Sequence, residues 1–408
     1  MHEQGQPSFE GLGISELFMG ILESLRFTVP TPIQHKAIPA ALSGEDVIGI
    51  AQTGTGKTLA FGIPMLQRLS APNSGGGLVL LPTRELAIQV DEALRTFGAP
   101  IGIRTAVLIG GESISKQIMQ IRRRPNIIIA TPGRLLDLVE HRAIRLEKTS
   151  VLILDEADRM LDMGFAPQIN KILSMLPSPA DRQTMLFSAT MPDDIVRIAT
   201  HHMRMPVRVE VAPAGTAAET VEQELYIVPK ENKMPLLAHL LQQYHGPVLV
   251  FTRTKHGATK LARAVGQMGH RVSEIHANRS LGQRKQSLEG FKSGAYRVLI
   301  ATDIAARGID VSGIELVVNY DLPHSSDYVH RIGRTGRAGK AGKAVSFAMP
   351  DQRTEIRDIE KLIRKPLPIA KHPQLSVDLP ERHVPSHQRG IGGGRVRRFG
   401  HRPRFNRR

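Results

Sequence analysis

Cysteine and tryptophan are both absent from this 408-residue chain. Without cysteine there can be no disulfide and no thiolate metal site, which fits the reducing cytoplasm. No apolar run approaches the ~20 residues that carry a helix across a bilayer. The N-terminus also lacks the charged-then-apolar pattern of a secretory signal, so no membrane role is expected. Acidic residues are missing from one stretch in particular, Arg389 to Arg408, which holds eight arginines. That stretch supplies half of the net charge of +16 and leaves +8 on the remaining 388 residues. A basic body with a still more basic end suggests a polyanionic partner, nucleic acid above all.

What is present points to packed domains. Hydrophobic residues make up 41% of the chain, too many for a disordered protein. The length suits two domains of roughly 200 residues each. Short apolar runs recur: Val47–Ile50, Leu78–Leu81, Ile127–Ile129, Val151–Leu154 and Thr184–Phe187, then Val248–Phe251, Val298–Ile300, Leu316–Val318 and Ala344–Phe347. Such runs read as strands buried on both faces of a parallel sheet. Helical patterns lie between them, for example Arg84 to Phe97 and His256 to Met268. The alternation predicts an α/β doubly wound fold, whose ligands bind beyond the carboxyl ends of the strands. Linker composition at 211–220 divides residues 1–210 from 221–370, and residues 371–408 form a Gly/Arg-rich tail with Phe399 and Phe405 scattered in it.

Two phosphate-handling motifs lie far apart. Ala51-Gln-Thr-Gly-Thr-Gly-Lys-Thr58 follows a predicted strand and opens a predicted helix. Its Thr53, Gly54, Thr55 and Gly56 can cradle a triphosphate, with Lys57 reaching the β/γ-phosphates and Thr58 holding Mg²⁺. His330-Arg-Ile-Gly-Arg-Thr-Gly-Arg337 offers Arg334 and Arg337 as arginine fingers. If both act on one nucleotide, it sits in a cleft between two domains. Asp155-Glu-Ala-Asp158 closes a predicted strand: Asp155 suits Mg²⁺, largely through water, and Glu156 suits an attacking water. Upstream, Gln34 can pair with an adenine edge and Phe27 can stack on the ring, which favours ATP.

These residues resemble the DEAD-box RNA helicases over about Phe9 to Pro350. In order come the glutamine motif, the glycine turn, Pro82-Thr-Arg-Glu-Leu86, Gly110-Gly111 and Thr131-Pro-Gly-Arg134. Asp155–Asp158, Ser188-Ala-Thr190, Ala301-Thr-Asp-Ile-Ala-Ala-Arg-Gly-Ile-Asp310 and His330–Arg337 follow. The body and tail are similar to bacterial RhlE-type members. The resemblance implies two tandem RecA-like domains, with Phe9 behind the adenine pocket and Asp310 on the ribose. It implies that Asp158, Ser188, Thr190 and His330 couple ATP state to domain contact. It also implies an RNA track along Pro82, Thr83, Arg84, Gly111, Thr131, Pro132, Gly133, Arg134, Thr252, Arg253, Thr302 and Asp303. Three departures stand out: Arg26 where glycine is common, Ala51 in place of the general motif's first glycine, and Leu281 where glutamine is frequent.

The mechanism expected from this reading is cooperative closure on ATP and single-stranded RNA, with local, sequence-independent unwinding of short duplexes. Relatives in bacteria imply ribosomal or RNA-degradation partners, and the tail suits salt-sensitive tethering to RNA. A DNA-dependent enzyme of the same architecture and an ATP-gated clamp are the competing readings.

Overall fold

The computed structural model describes residues 7–51, 54–211, 221–303, 311, 313–336, 342–372 and 375. The expectations for Thr53, Asp310, Arg337, nearly all of the linker and the arginine-rich tail fall outside these residues.

The continuous apolar runs become the inner strands of two parallel sheets. The first contains β1 Val47–Ile50, β2 Gly76–Leu80, β3 Thr105–Leu108, β4 Ile127–Ala130, β5 Thr149–Leu154, β6 Gln183–Ser188 and β7 Val207–Glu210. Their spatial order is β3-β4-β2-β5-β6-β1-β7. The second contains β8 Val221–Ile227, β9 Val248–Phe251, β10 Val272–Ile275, β11 Val298–Ala301, β12 Leu316–Asn319, β13 Gly342–Ala348 and β14 Ile369–Ala370. Their order is β10-β11-β9-β12-β13-β8-β14. The chain is therefore α/β and doubly wound, twice over.

Each sheet is sandwiched because side chains alternate across a strand. In β1, Val47 joins a core with Phe61 and Phe187, while Ile48 and Ile50 join the opposite core with Leu152 and Leu186. The second sheet divides in the same way, with Leu249 on one face and Val248 and Val250 on the other. Parallel register keeps the strand ends level: Ile50 pairs with Ser188, and Leu80 pairs with both Leu154 and Ala130. The loops that carry the motifs consequently leave each sheet in one layer.

Gly49 sits opposite Phe187 in that register. A Cβ there would lie 2.5 Å from two carbons of the Phe187 ring. Both residues are in the interior of a central strand pair, where neighbours have little room to give. Gly49→Ala is therefore expected to destabilise the first unit by about 1–3 kcal/mol. A lower denaturant midpoint at unchanged slope is the measurement that checks it.

Candidate active site and nucleic-acid interface

The phosphate cradle is a consequence of glycine. Gly54 and Gly56 have φ of 87° and 91°, left-handed values that cost glycine little. Gly56 caps helix Lys57–Leu69, so the helix opens directly from the end of β1. The glutamine motif is bonded to this turn. Gln34 is buried; its amide oxygen accepts from the Thr31 N–H at 2.9 Å, and its Nε2 donates to the Gly56 carbonyl at 3.0 Å. The oxygen keeps a second lone pair and the nitrogen a second hydrogen, so an adenine edge still has both of its complements. Phe9 lies in the core, whereas Phe27 is 41% exposed with its ring tilted against Phe97 at 5.7 Å. Arg26, just before it, has φ of 61°, which gives a physical reason for glycine being common there.

Three carboxylates are buried at the end of β5: Asp155, Glu156 and Asp158. Burial of an unpaired charge is costly, so each needs a partner. Lys57 Nζ stands 3.6 Å from Asp155 Oδ1, both nearly inaccessible. Burial pushes the Asp155 carboxyl up to about 6, with Lys57 opposing the rise and Glu156 adding to it. Glu156 has a left-handed backbone at φ 51°, and its Oε2 is 3.3 Å from Arg159 Nη1 in a wholly buried pair. This carboxylate cluster, beside the half-buried Thr58, has the hard oxygen donors that suit a hydrated divalent cation such as Mg²⁺.

Asp158 reaches the neighbouring strand. Its Oδ2 accepts from the N–H groups of Ala189 and Thr190 at 3.1 and 2.9 Å, and from the Thr190 hydroxyl at 2.9 Å. Ser188 Oγ accepts from the Asp158 N–H at 3.3 Å. Three of the four residues expected to couple ATP state to domain contact, Asp158, Ser188 and Thr190, are brought together within the first unit, while His330 belongs to the second.

In the second unit Arg331, which sequence reasoning left without a role, is the organiser. Its guanidinium grips both oxygens of Asp303 at 2.5 and 2.7 Å and donates to Asn319 Oδ1 and the Asp321 carbonyl. It also lies over the Phe251 ring, 5.0 Å from the centroid. Asp303 was expected on the RNA track; its carboxylate is held by Arg331. Asp321 in turn accepts from the Thr252 hydroxyl at 2.8 Å and the Arg253 N–H at 3.0 Å. Burial opposes ionisation of Asp321, yet the Arg253 N–H, Lys233 and Thr252 together hold its carboxyl below the usual range.

The two units meet at the acidic motif. Arg159 of the first unit and Asp303, His330, Arg331 and Arg334 of the second line one narrow cavity. Arg334 is buried and its Nε donates to the His330 carbonyl at 3.2 Å. A second junction was not anticipated: Arg284 Nη2 comes within 2.7 Å of Glu85 Oε2, both buried. The approach is charge-driven rather than aligned, since among the described residues Glu85's oxygens and Arg284 Nε have no hydrogen-bond partner. Burial accordingly pushes the Glu85 carboxyl up, with Arg284 opposing. Leu281, one turn earlier and standing where glutamine is frequent, packs an alkyl side chain on the first unit's core.

The remaining candidates gather on the other half of each sheet. Pro82 and Thr83 are buried after β2, with Thr83 capping helix Arg84–Gly98. The Arg84 guanidinium lies against Gly110 and Gly111 beyond β3. Thr131 and Pro132 start helix Pro132–Glu140 after β4, and Arg134 beside Gly133 donates to the Glu112 carbonyl at 3.1 Å. Thr252 follows β9 and Thr302 follows the adjacent β11.

The DEAD/DEAH box helicase model matches residues 31–198, and the helicase conserved C-terminal domain model matches 232–339. The DEAD-box ATP-dependent RNA helicase CshA of Geobacillus kaustophilus is 44% identical over 371 residues, covering 90% of this chain and 79% of the relative. The chain belongs to the DEAD-box helicase family. Among solved structures, the chain is similar to S. cerevisiae Dbp5 bound to RNA and ADP BeF3, with 30% identity, TM-score 0.79 and coverage of 89% and 95% of the two chains. Mss116p bound to ssRNA and AMP-PNP is 26% identical, with TM-score 0.82 and coverage of 91% and 81%. Both units are thereby RecA-like. The curated relatives carry the CshA name, and the RhlE-type expectation gains no support from them; a short basic tail is too general a trait to sort DEAD-box subgroups.

The Glu85–Arg284 pair yields a test of DEAD-box domain docking. Arg284→Leu leaves a buried carboxylate alone, a break that costs about 3–5 kcal/mol where no partner replaces it. RNA-stimulated ATP turnover is expected to fall by about ten-fold or more, and Glu85→Leu/Arg284→Leu to recover part of it. Steady-state ATPase rates of the three variants give the answer.

Proposed function

We infer that this ATP-dependent RNA helicase couples ATP binding and hydrolysis to local, sequence-independent unwinding of short RNA duplexes and to remodelling of RNA–protein complexes. The observation that carries this reading is the docked cleft. Arg159, beside Glu156, shares one cavity with His330 and Arg334 from the other unit. The likeness to Dbp5 and Mss116p, both with bound RNA and a nucleotide analogue and both matched over the two units, supports the same docked arrangement.

Roles follow from chemistry. Gln34 reads the adenine edge, with Phe27 and Phe9 bounding the base and Asp310 on the ribose. Gly54, Thr55 and Gly56 present backbone N–H groups to the phosphates, Thr53 extends the cradle, and Lys57 compensates the β/γ charge. Thr58 and Asp155 hold Mg²⁺, mostly through its water shell, and the ion supplies charge neutralisation at the phosphates. Glu156 orients the attacking water, while Arg334 and Arg337 meet the charge that develops on the transferred phosphoryl group. Asp158, Ser188, Thr190 and His330 make this constellation conditional on domain contact.

On the other half of the sheets, Pro82–Arg84, Gly111, Thr131–Arg134, Thr252, Arg253, Thr302 and Asp303 take one RNA strand by its backbone. A strand bent there loses its complement locally, because stacking holds only about 1–2 kcal/mol per step. ATP and RNA each supply contacts available only in the docked state, so each strengthens the other's binding. Residues 1–210 and 221–370 act as the two jaws about 211–220, and the tail 371–408 tethers the core to structured RNA. The setting is the cytoplasm, on ribosomal or messenger RNA assemblies. Among the described residues no helix is long and apolar enough to cross a membrane.

Glu156→Gln keeps a hydrogen-bonding group beside Arg159 but cannot act as a base. Turnover is expected to drop by about 100-fold or more, with ATP-dependent gripping of a short single strand retained. ATPase and anisotropy measurements on the same preparation separate the two, and undiminished hydrolysis would remove Glu156 from its role. Matched RNA and DNA strands in that assay set RNA dependence against the DNA alternative.

A further inference from the structure

The strand ends opposite the motif loops of the first unit carry a second concentration of charge. Arg104 precedes β3, Arg122, Arg123 and Arg124 precede β4, and Arg142, Arg145 and Lys148 precede β5. β3 and β4 are neighbours in the sheet, and β2 stands between β4 and β5. Arg104 Nη2 donates to the Arg124 carbonyl at 3.4 Å, so the segments before β3 and β4 touch. Two surface cavities open here. One is lined by Arg95, Arg104 and Arg123, the other by Arg124, Arg145 and Lys148, and Pro125 belongs to both.

These cations are not explained by folding. Arg104, Arg122–Arg124, Arg142, Arg145 and Lys148 are exposed, and among the described residues none of them forms an ion pair. The acidic side chains nearby do not offset them. Asp91 is buried against the Thr105 hydroxyl and Arg95, and Glu140 is paired with Lys171 at 2.8 Å. Glu92 and Glu147 remain, exposed. Among the described residues no aromatic side chain lines either cavity, so they offer no platform on which unpaired bases could stack. Exposed guanidinium forks without aromatics suit phosphate oxygens along a duplex, read by shape and backbone alone.

The geometry points to a second RNA-binding face: the Arg104, Arg122–Arg124, Arg145 and Lys148 surface holds the phosphate backbone of double-stranded RNA, while the strand-end loops on the opposite side hold the strand being worked on. It lies away from both the nucleotide cradle and the loop track, so it can be occupied during turnover. It is also separate from the arginine-rich tail. The inference rests on the chain handling RNA, which the short-strand assay reports independently.

The test compares the full chain with Arg123→Glu/Arg124→Glu/Arg145→Glu, and with the milder Gln triple in case charge reversal impairs folding. Two RNAs are used: a short single strand that fills only the loop track, and the same strand extended by a hairpin. The variants are expected to keep ATPase activity at saturating short strand. Their affinity for the hairpin-extended RNA should fall by about ten-fold or more in low salt, and the log–log salt slope should flatten by about one per arginine removed. Unchanged affinity and slope for the extended RNA would overturn the proposal. So would a face that takes polyglutamate, lost in the variants, while RNA binding is untouched, because that would assign it to an acidic protein.

Discussion

Three carboxylates at the end of one buried strand set the terms for the rest of the molecule. Asp155, Glu156 and Asp158 cannot stay ionised in the interior without compensation. Each finds it in a different part of the chain: Asp155 in Lys57 of the phosphate cradle, Glu156 in Arg159, Asp158 in the backbone and hydroxyl of residues 189–190. The three strands that meet there, β5, β6 and β1, are consecutive in the sheet. An electrostatic requirement therefore ties the phosphate-cradle turn, the acidic motif and residues 188–190 into one framework.

Topology separates this chemistry from nucleic acid. Loops after β1, β5 and β6 carry the nucleotide residues, whereas loops after β2, β3 and β4 carry the track candidates, on the other half of the same sheet. In the second unit β9 and β11 are neighbours and contribute the continuation, with Arg331 joining Asp303, Asn319 and Asp321 into one block. Asp303 stands at the meeting of the two groups, a track candidate that also lines the cavity beside Arg159 and Arg334.

Legibility in the sequence followed burial. Strands buried on both faces, such as Val248–Phe251, are unbroken apolar runs and could be read directly. The strands that escaped notice lie at or next to sheet edges. Val207–Glu210 is largely exposed, and Val221–Ile227 alternates buried and open positions. Thr105–Leu108, Val272–Ile275 and Ile369–Ala370 are edges too. A half-solvated strand mixes polar and apolar residues, and short mixed segments carry weak periodicity. At the site, residues in compact motifs were legible because their spacing is itself the chemistry. Arg159, Arg331 and the Glu85–Arg284 pair were not, since their roles come from partners distant in sequence. Asp303 was legible from its motif, whereas the arginine 28 positions away that holds its carboxylate was not.

Leu281 gives the closed state a thermal character. Where this family often places an amide, the chain packs an alkyl side chain from one unit onto the core of the other. Apolar burial weakens on cooling, because its heat-capacity change is negative on association. The charged junction one turn away follows a different temperature law. Docking of the two jaws should accordingly be more enthalpic in the warm and looser near freezing than an amide-bearing homologue would be.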